Sequence, residues 1–126
     1  MIILKGFFFY ILIFSFNFHF QKFYGNNINN MNGMFWECDS LKELNLNNFN
    51  TNNVTDMSSM FSGCSSLKEL TINNFNTNNV IDMKSMFLRC SNKLIMKIKA
   101  QYKNIKEEAF INFSGYGPVP QTSQKL

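Results

Sequence analysis

The chain has 126 residues, 45% of them apolar and 16% charged, which is room for one domain with a core and excludes a chain disordered throughout. Its net charge of +4 is mild and unevenly spread along the chain. Three cysteines spaced 26 apart, with His19 the sole histidine, exclude a zinc site built from short ligand pairs.

Residues 1–16 form a hydrophobic leader in which Lys5 precedes an unbroken apolar block from Phe7 to Phe14. A cation followed by such a block has the layout of a secretory signal, although no small-x-small cleavage site follows. A membrane anchor is a second reading, and residues 2–20 offer the stretch for membrane association. The third reading comes from position: 26 residues before Leu44-Asn45-Leu46 stands Phe18-His19-Phe20, so residues 18–23 read as a degenerate first strand. The folded region is then expected over 17–113.

From there the chain repeats itself. Cys38 to Phe61 laid over Cys64 to Phe87 gives 24 positions without a gap, and only five differ: Asp39/Ser65, Asn45/Thr71, Leu46/Ile72, Thr55/Ile81 and Ser58/Lys84. A period of this length predicts an α/β solenoid, in which each copy stacks on the next because it cannot bury its apolar face alone. Leu41-x-x-Leu44-x-Leu46 and Leu67-x-x-Leu70-x-Ile72 predict parallel strands over about 41–47 and 67–73, with Leu44 and Leu46 inward and Glu43, Asn45 and Asn47 outward. Met57, Met60 and Phe61, at i, i+3 and i+4, predict a short helix over 54–62, with counterparts over 28–36 and 80–89. The run Asn-Asn-Phe-Asn-Thr-Asn-Asn-Val, identical at 47–54 and 73–80, reads as turn structure rather than a ligand site, since Asn side chains bond the nearby backbone. The three cysteines are expected to stack as a buried column of small apolar groups.

After Cys90 the pattern changes. Leu94, Met96, Ile98, Ala100 and Tyr102 alternate with polar residues, which predicts a strand over 94–102, and Asn104 with Glu107 three residues on predicts a capped helix over 104–113. Together they read as the unit that closes the open end of the stack. Residues 114–126, with two glycines and two prolines, read as a flexible tail.

At Met-x-x-Met-Phe-x-x-Cys-x-Ser-Leu, present at 31–41 and 57–67, and at Asn-Phe-Asn-Thr-Asn-Asn-Val-Thr-Asp-Met over 48–57, the chain resembles the BspA-like leucine-rich-repeat surface proteins. The resemblance covers about residues 18–92. It implies a leucine-rich-repeat-like fold, export to the cell surface or secretion, and adhesion to protein or cell-surface ligands, with no catalytic residues to carry over.

The residues expected to meet a ligand are the outward ones of the sheet, Glu43, Asn45, Asn47, Glu69, Thr71 and Asn73, continued by Lys97, Lys99 and Lys103. An alternative contact is a polyanion, whether glycan, nucleic acid or anionic membrane, at the basic run Lys84, Arg89, Lys93, Lys97, Lys99, Lys103 and Lys106, where no acid intervenes until Glu107. Nucleic acid is the less favoured partner. A remnant of a longer array without function of its own is a further alternative. Catalysis, a cofactor and a metal are not expected, because the acids and thiols recur once per copy and the repeat itself accounts for them.

Overall fold

The computed structural model describes residues 28–112. The leader, the strand expected over 18–23 and the tail over 114–126 lie outside them. Two short parallel strands, β1 (Glu43–Asn45) and β2 (Glu69–Thr71), pair with Glu43 opposite Glu69, Leu44 opposite Leu70 and Asn45 opposite Thr71. Each residue therefore faces the residue 26 positions on, its own copy in the sequence. Leu44 and Leu70 point into the core and Glu43, Asn45 and Glu69 stay exposed, as period-two alternation requires. The strands are shorter than the spans 41–47 and 67–73 because a turn ends them: Asn45 Oδ1 accepts from the Asn47 amide at 3.0 Å, and the Phe49 amide returns to the Leu46 carbonyl at 2.9 Å.

The second half of each copy is not the helix expected over 28–36, 54–62 and 80–89. Within residues 31–38 the amides alternate in what they bond. Met31, Gly33, Phe35 and Glu37 donate outward to the carbonyls of Asp56, Ser58, Met60 and Ser62 in the next copy, at 2.7–3.0 Å. Met34, Trp36 and Cys38 instead donate three residues back along their own copy. The middle copy repeats the scheme toward Asp82, Lys84, Met86 and Leu88. An α-helix would spend these amides internally and leave none to join the copies.

What breaks the helix is a pair of left-handed residues in every copy. Gly33, Ser59 and Ser85 have φ of 61°, 54° and 56°, and Glu37, Gly63 and Arg89 have φ of 54°, 82° and 60°. With two left-handed residues four apart, Met57, Met60 and Phe61 still share an inward face although no helix forms. The run opens on a carboxylate or amide that bonds two residues ahead: Asn30 to the Asn32 amide, Asp56 to the Ser58 amide and Asp82 to the Lys84 amide.

Identical side chains consequently stack in columns. Phe35, Phe61 and Phe87 lie ring on ring, with centroids 5.6 and 5.4 Å apart and planes within 15°. Met31, Met57 and Met83 form one buried row, and Met34, Met60 and Met86 another. Val54, Leu67 and Ile72 complete the core beside the strands.

At the C-terminal end, residues 94–102 do not form a strand. They lie in helix α1 (Asn92–Gln101), whose first turn is capped by Ser91 Oγ accepting from the Leu94 amide at 3.2 Å. The alternation that suggested a strand coexists with a helical stripe: Leu94 and Ile98 are buried, Ile95 and Tyr102 pack beside them, and Met96 is 72% exposed. The equivalent Ser65 precedes a strand, so the serine alone does not set the helix, and the buried pair Leu94 and Ile98, four residues apart, follows the helical period.

The helix expected over 104–113 is a single 3-10 turn, Glu107–Phe110. Asn104 does not cap it, because its side-chain amide donates instead to the Phe75 carbonyl and Thr77 Oγ1. Lys106 stays extended, and the carbonyls of Glu108 and Ala109 accept the outward amides of Ser85 and Phe87 at 3.0 and 2.8 Å. Phe110 adds a fourth ring to the aromatic column, 5.4 Å beyond Phe87.

Two substitutions separate a helix from a strand over 92–101. Met96→Lys is expected to shift stability by less than about 0.5 kcal/mol, whereas Ile98→Lys, on the same face of any strand but buried in the helix, is expected to unfold the domain. Urea midpoints of the two variants check this. Gly63→Ala is expected to cost more than about 1 kcal/mol, since a Cβ there would sit 2.9 Å from Glu37 Cγ at a φ of 82°. Gly33→Ala, where the nearest atom is 3.7 Å away, is expected to lower the same midpoint less.

Candidate functional site

Along the strand rows, most polar groups expected to face a ligand hold the backbone together. Asn47 Oδ1 accepts the Asn73 amide at 2.9 Å, and Asn73 Oδ1 accepts the Tyr102 hydroxyl at 3.0 Å. The Tyr102 oxygen also accepts from the Ile72 amide at 3.3 Å, so one phenol occupies the edge of β2 where a third strand would pair. Glu43 is exposed and makes no ion pair among the described residues, and Thr71 is half-exposed.

Lys97, Lys99 and Lys103 do not continue the row as strand residues, because Lys97 and Lys99 stand on α1 and Lys103 just beyond it. Two residues apart on a helix, Lys97 and Lys99 project in opposing directions. Lys97 reaches back to Glu69 of β2 and toward the Lys68 carbonyl. Lys99 pairs with Glu107 at 3.0 Å and lies 4.6 Å from the centre of the Phe110 ring, closing the aromatic column with a cation. Lys103 Nζ donates to the Lys99 carbonyl at 2.8 Å.

Four members of the basic run stand beside acids, two of them from other copies, and two more donate to backbone carbonyls. Arg89 bonds Glu37, 52 residues away, at 3.2 Å, Lys84 stands 4.0 Å from Asp82, and Lys106 donates to the Val80 carbonyl at 3.0 Å. Arg89 and Lys97 gain their acids only through stacking, from Glu37 and Glu69.

The Asn–Thr run is a second ladder. Thr51, 1% exposed, accepts the Asn76 amide at 2.8 Å and donates to the Asn76 carbonyl at 3.1 Å. Asn76 and Asn79 donate to Asn52, and Asn74 to the Asn47 carbonyl. These amides fill the role that the sequence assigned to them, turn structure.

One concavity was not foreseen. A shallow cleft of about 400 Å³ crosses the turn rows and is lined by Trp36, Ser58, Ser62, Asp82, Lys84 and Arg89, among others. The sequence held a signal for it: at the equivalent positions 36, 62 and 88 the copies carry Trp, Ser and Leu, and at 37, 63 and 89 they carry Glu, Gly and Arg. Here the repeat departs from itself.

A model of the family described as Mycoplasma protein of unknown function, DUF285, matches residues 4–113. The chain belongs to the DUF285 family. No curated protein and no solved structure matches it. The DUF285 match takes in every described element, including the closing helix and 3-10 turn, which differ in sequence from the repeated copies. No described helix is long and apolar enough to cross a membrane, and the described residues hold no group of three or more metal-ligating side chains.

The thiols of this DUF285 chain are buried, and none is part of a disulfide. Cys64 Sγ donates to the Phe35 carbonyl at 3.1 Å and Cys90 Sγ to the Phe61 carbonyl at 3.2 Å, so each thiol reaches back into the preceding copy. Burial pushes Cys38 up from 9.0 to about 11, with the Asp39 charge adding to it, and Cys90 to about 12. Burial, with the neighbouring thiols adding to it, raises Cys64 as well. A nucleophilic thiol needs the opposite shift.

These shifts set a pH dependence. In the unfolded chain the thiols ionise near their ordinary value, while in the folded chain they stay protonated, so above pH 9 the unfolded state binds fewer protons and is favoured. Stability is expected to be insensitive to the thiols below pH 8 and to fall from about pH 9 upward, through about 11 for Cys38 and about 12 for Cys90. Urea midpoints at pH 7.5 and pH 10 measure the fall, and it should be shallower in Cys38→Ala.

Proposed function

We propose that this DUF285 chain is a non-enzymatic solenoid of the BspA-like leucine-rich-repeat kind, exported to the cell surface or secreted, where it binds a protein or cell-surface ligand. The observation that carries the reading is the register: strand pairs and turn bridges alike join residues 26 apart, Glu43 to Glu69, Asn30 to Asp56 and Asp56 to Asp82. Stacking of this kind displays equivalent side chains at about the 4.8 Å strand spacing, and such rows suit contact with an extended partner.

Residues 1–16 serve in this reading as the signal or anchor, residues 17–113 as the folded array and residues 114–126 as the tail. The contact residues are narrowed to Glu43, Thr71 and the Glu69–Lys97 ion pair. Asn45, Asn47 and Asn73 act as turn and ladder groups, and Lys99 and Lys103 belong to the closing unit. The raised thiols and the once-per-copy acids support a scaffold over an enzyme. The matched charges around Arg89, Lys97 and Lys99 weigh against a polyanion as the principal ligand.

Protease shaving of intact cells expressing the C-terminally tagged full chain tests the location. Loss of the tagged product on intact cells is expected, and protection until lysis would sink the reading. For the surface, the double variant Glu43→Lys, Thr71→Lys is expected to keep the wild-type melting temperature and to bind matrix-coated plates at least about tenfold more weakly. Binding equal to wild type would remove the strand rows from the contact.

A further inference from the structure

Asn32-Gly33 is the chain's one Asn-Gly step, and the equivalent positions carry Ser58-Ser59 and Lys84-Ser85. An asparagine before glycine is prone to lose its side-chain amide, because the backbone nitrogen of a residue without a side chain meets little hindrance in attacking the asparagine Cγ. In that attack the Gly33 nitrogen gives up its proton and bonds Asn32 Cγ, the Cγ–Nδ2 bond breaks, and ammonia leaves with the proton. Water then opens the cyclic imide to aspartate or to isoaspartate.

The stack holds both reacting groups. The Gly33 amide donates to the Ser58 carbonyl at 3.0 Å, and Asn32 Nδ2 donates to Ser58 Oγ. One residue of the next copy therefore ties down the attacking nitrogen and the leaving nitrogen together. Gly33 is buried with a φ of 61°, and the Asn32 amide is fixed on Asn30 Oδ1 at 2.8 Å. Closing the imide requires the Gly33 N–H and the Asn32 side chain to be released at once, which requires the two copies to part.

The same seam is matched to the amide and not to its products. Ser58 has a single hydroxyl proton and donates it to Asp56 Oδ1 at 2.6 Å, so its oxygen is left to accept. The Asn32 amide supplies that proton, whereas an aspartate in its place has none to give and would set a second carboxylate against Asp56 across one hydroxyl. Isoaspartate adds a carbon to the main chain and carries the Gly33 N–H away from the Ser58 carbonyl. Position 58 is also one of the five at which the copies differ: Lys84, its counterpart, has no oxygen with which to accept an amide proton.

We propose that Asn32 is a site of spontaneous deamidation gated by the stack. Closed copies protect it, parting of the copies that carry Asn32 and Ser58 exposes it, and the acid that forms prevents the original seam from being restored. A transient opening is thereby made permanent. The site involves none of the strand residues assigned to ligand contact, so it stands or falls apart from that reading.

The full chain is incubated in mildly alkaline buffer, with and without denaturing urea, and the peptide that contains Asn32 is followed by mass spectrometry. Conversion is expected to be at least about tenfold slower in the folded chain, since it proceeds only through the open fraction. The product side is tested with Asn32→Asp, which is expected to lower the urea midpoint. Adding Asp56→Asn to it returns one amide and one carboxylate to the Ser58 hydroxyl, and Asn30 shows that asparagine serves at this turn position. The double variant is therefore expected to regain most of the lost midpoint. Equal conversion rates in the folded and unfolded chain, a wild-type midpoint in Asn32→Asp, or a loss that Asp56→Asn does not restore would overturn the proposal.

Discussion

The fold depends on amide groups that point along the stack rather than along the chain. In every described copy, alternate N–H groups of the turn run donate to the residues that follow in the stack, and the strand amides join neighbouring copies in both directions, Lys68 donating back to Lys42 and Leu46 forward to Thr71. A buried amide without a partner is expensive, so each copy is stable only with its neighbour in place. The register then follows from side chains. Sliding one copy by a single residue would set Phe61 against neither Phe35 nor Phe87 and would turn the Leu44 and Leu70 faces to solvent.

This dependence explains which features could be read in the sequence. The 26-residue period, the inward Leu44 and Leu70, the Phe, Met and Cys columns and the structural use of the Asn run are all repetition or alternation, and repetition survives translation into space. The turn run misled because Met57, Met60 and Phe61 define a face but not the backbone that bears it. Left-handed Ser59, Ser85, Glu37 and Arg89 carry no glycine to announce them, and only Gly33 and Gly63 hint at the departure from a helix. Residues 92–101 misled for the reverse reason, because polar-apolar alternation and a helical stripe overlap there.

The candidate contact surface was less legible than the fold. Which outward residues remain available depends on partners supplied by other copies: Tyr102 takes up Asn73, Lys97 takes up Glu69, and Arg89 crosses to Glu37. The first two pairings fall 29 and 28 residues apart and do not follow the 26-residue period, and the third spans two periods, so comparison of neighbouring copies gives no warning of them. The cleft is legible only in hindsight, as the row in which Trp36, Ser62 and Leu88 disagree.

The closing unit shows a consequence for how such a chain changes length. Tyr102, Asn104, Lys106 and Glu108 bond groups at Leu70, Ile72, Asn73, Phe75, Thr77, Val80 and Met83. One period earlier stand Leu44, Leu46, Asn47, Phe49, Thr51, Val54 and Met57, the same residue types but for leucine in place of isoleucine. The terminus therefore recognises a generic copy rather than a particular one. Duplication of one 26-residue unit upstream of Ser91 would leave Tyr102, Asn104, Lys106 and Glu108 the same groups to bond.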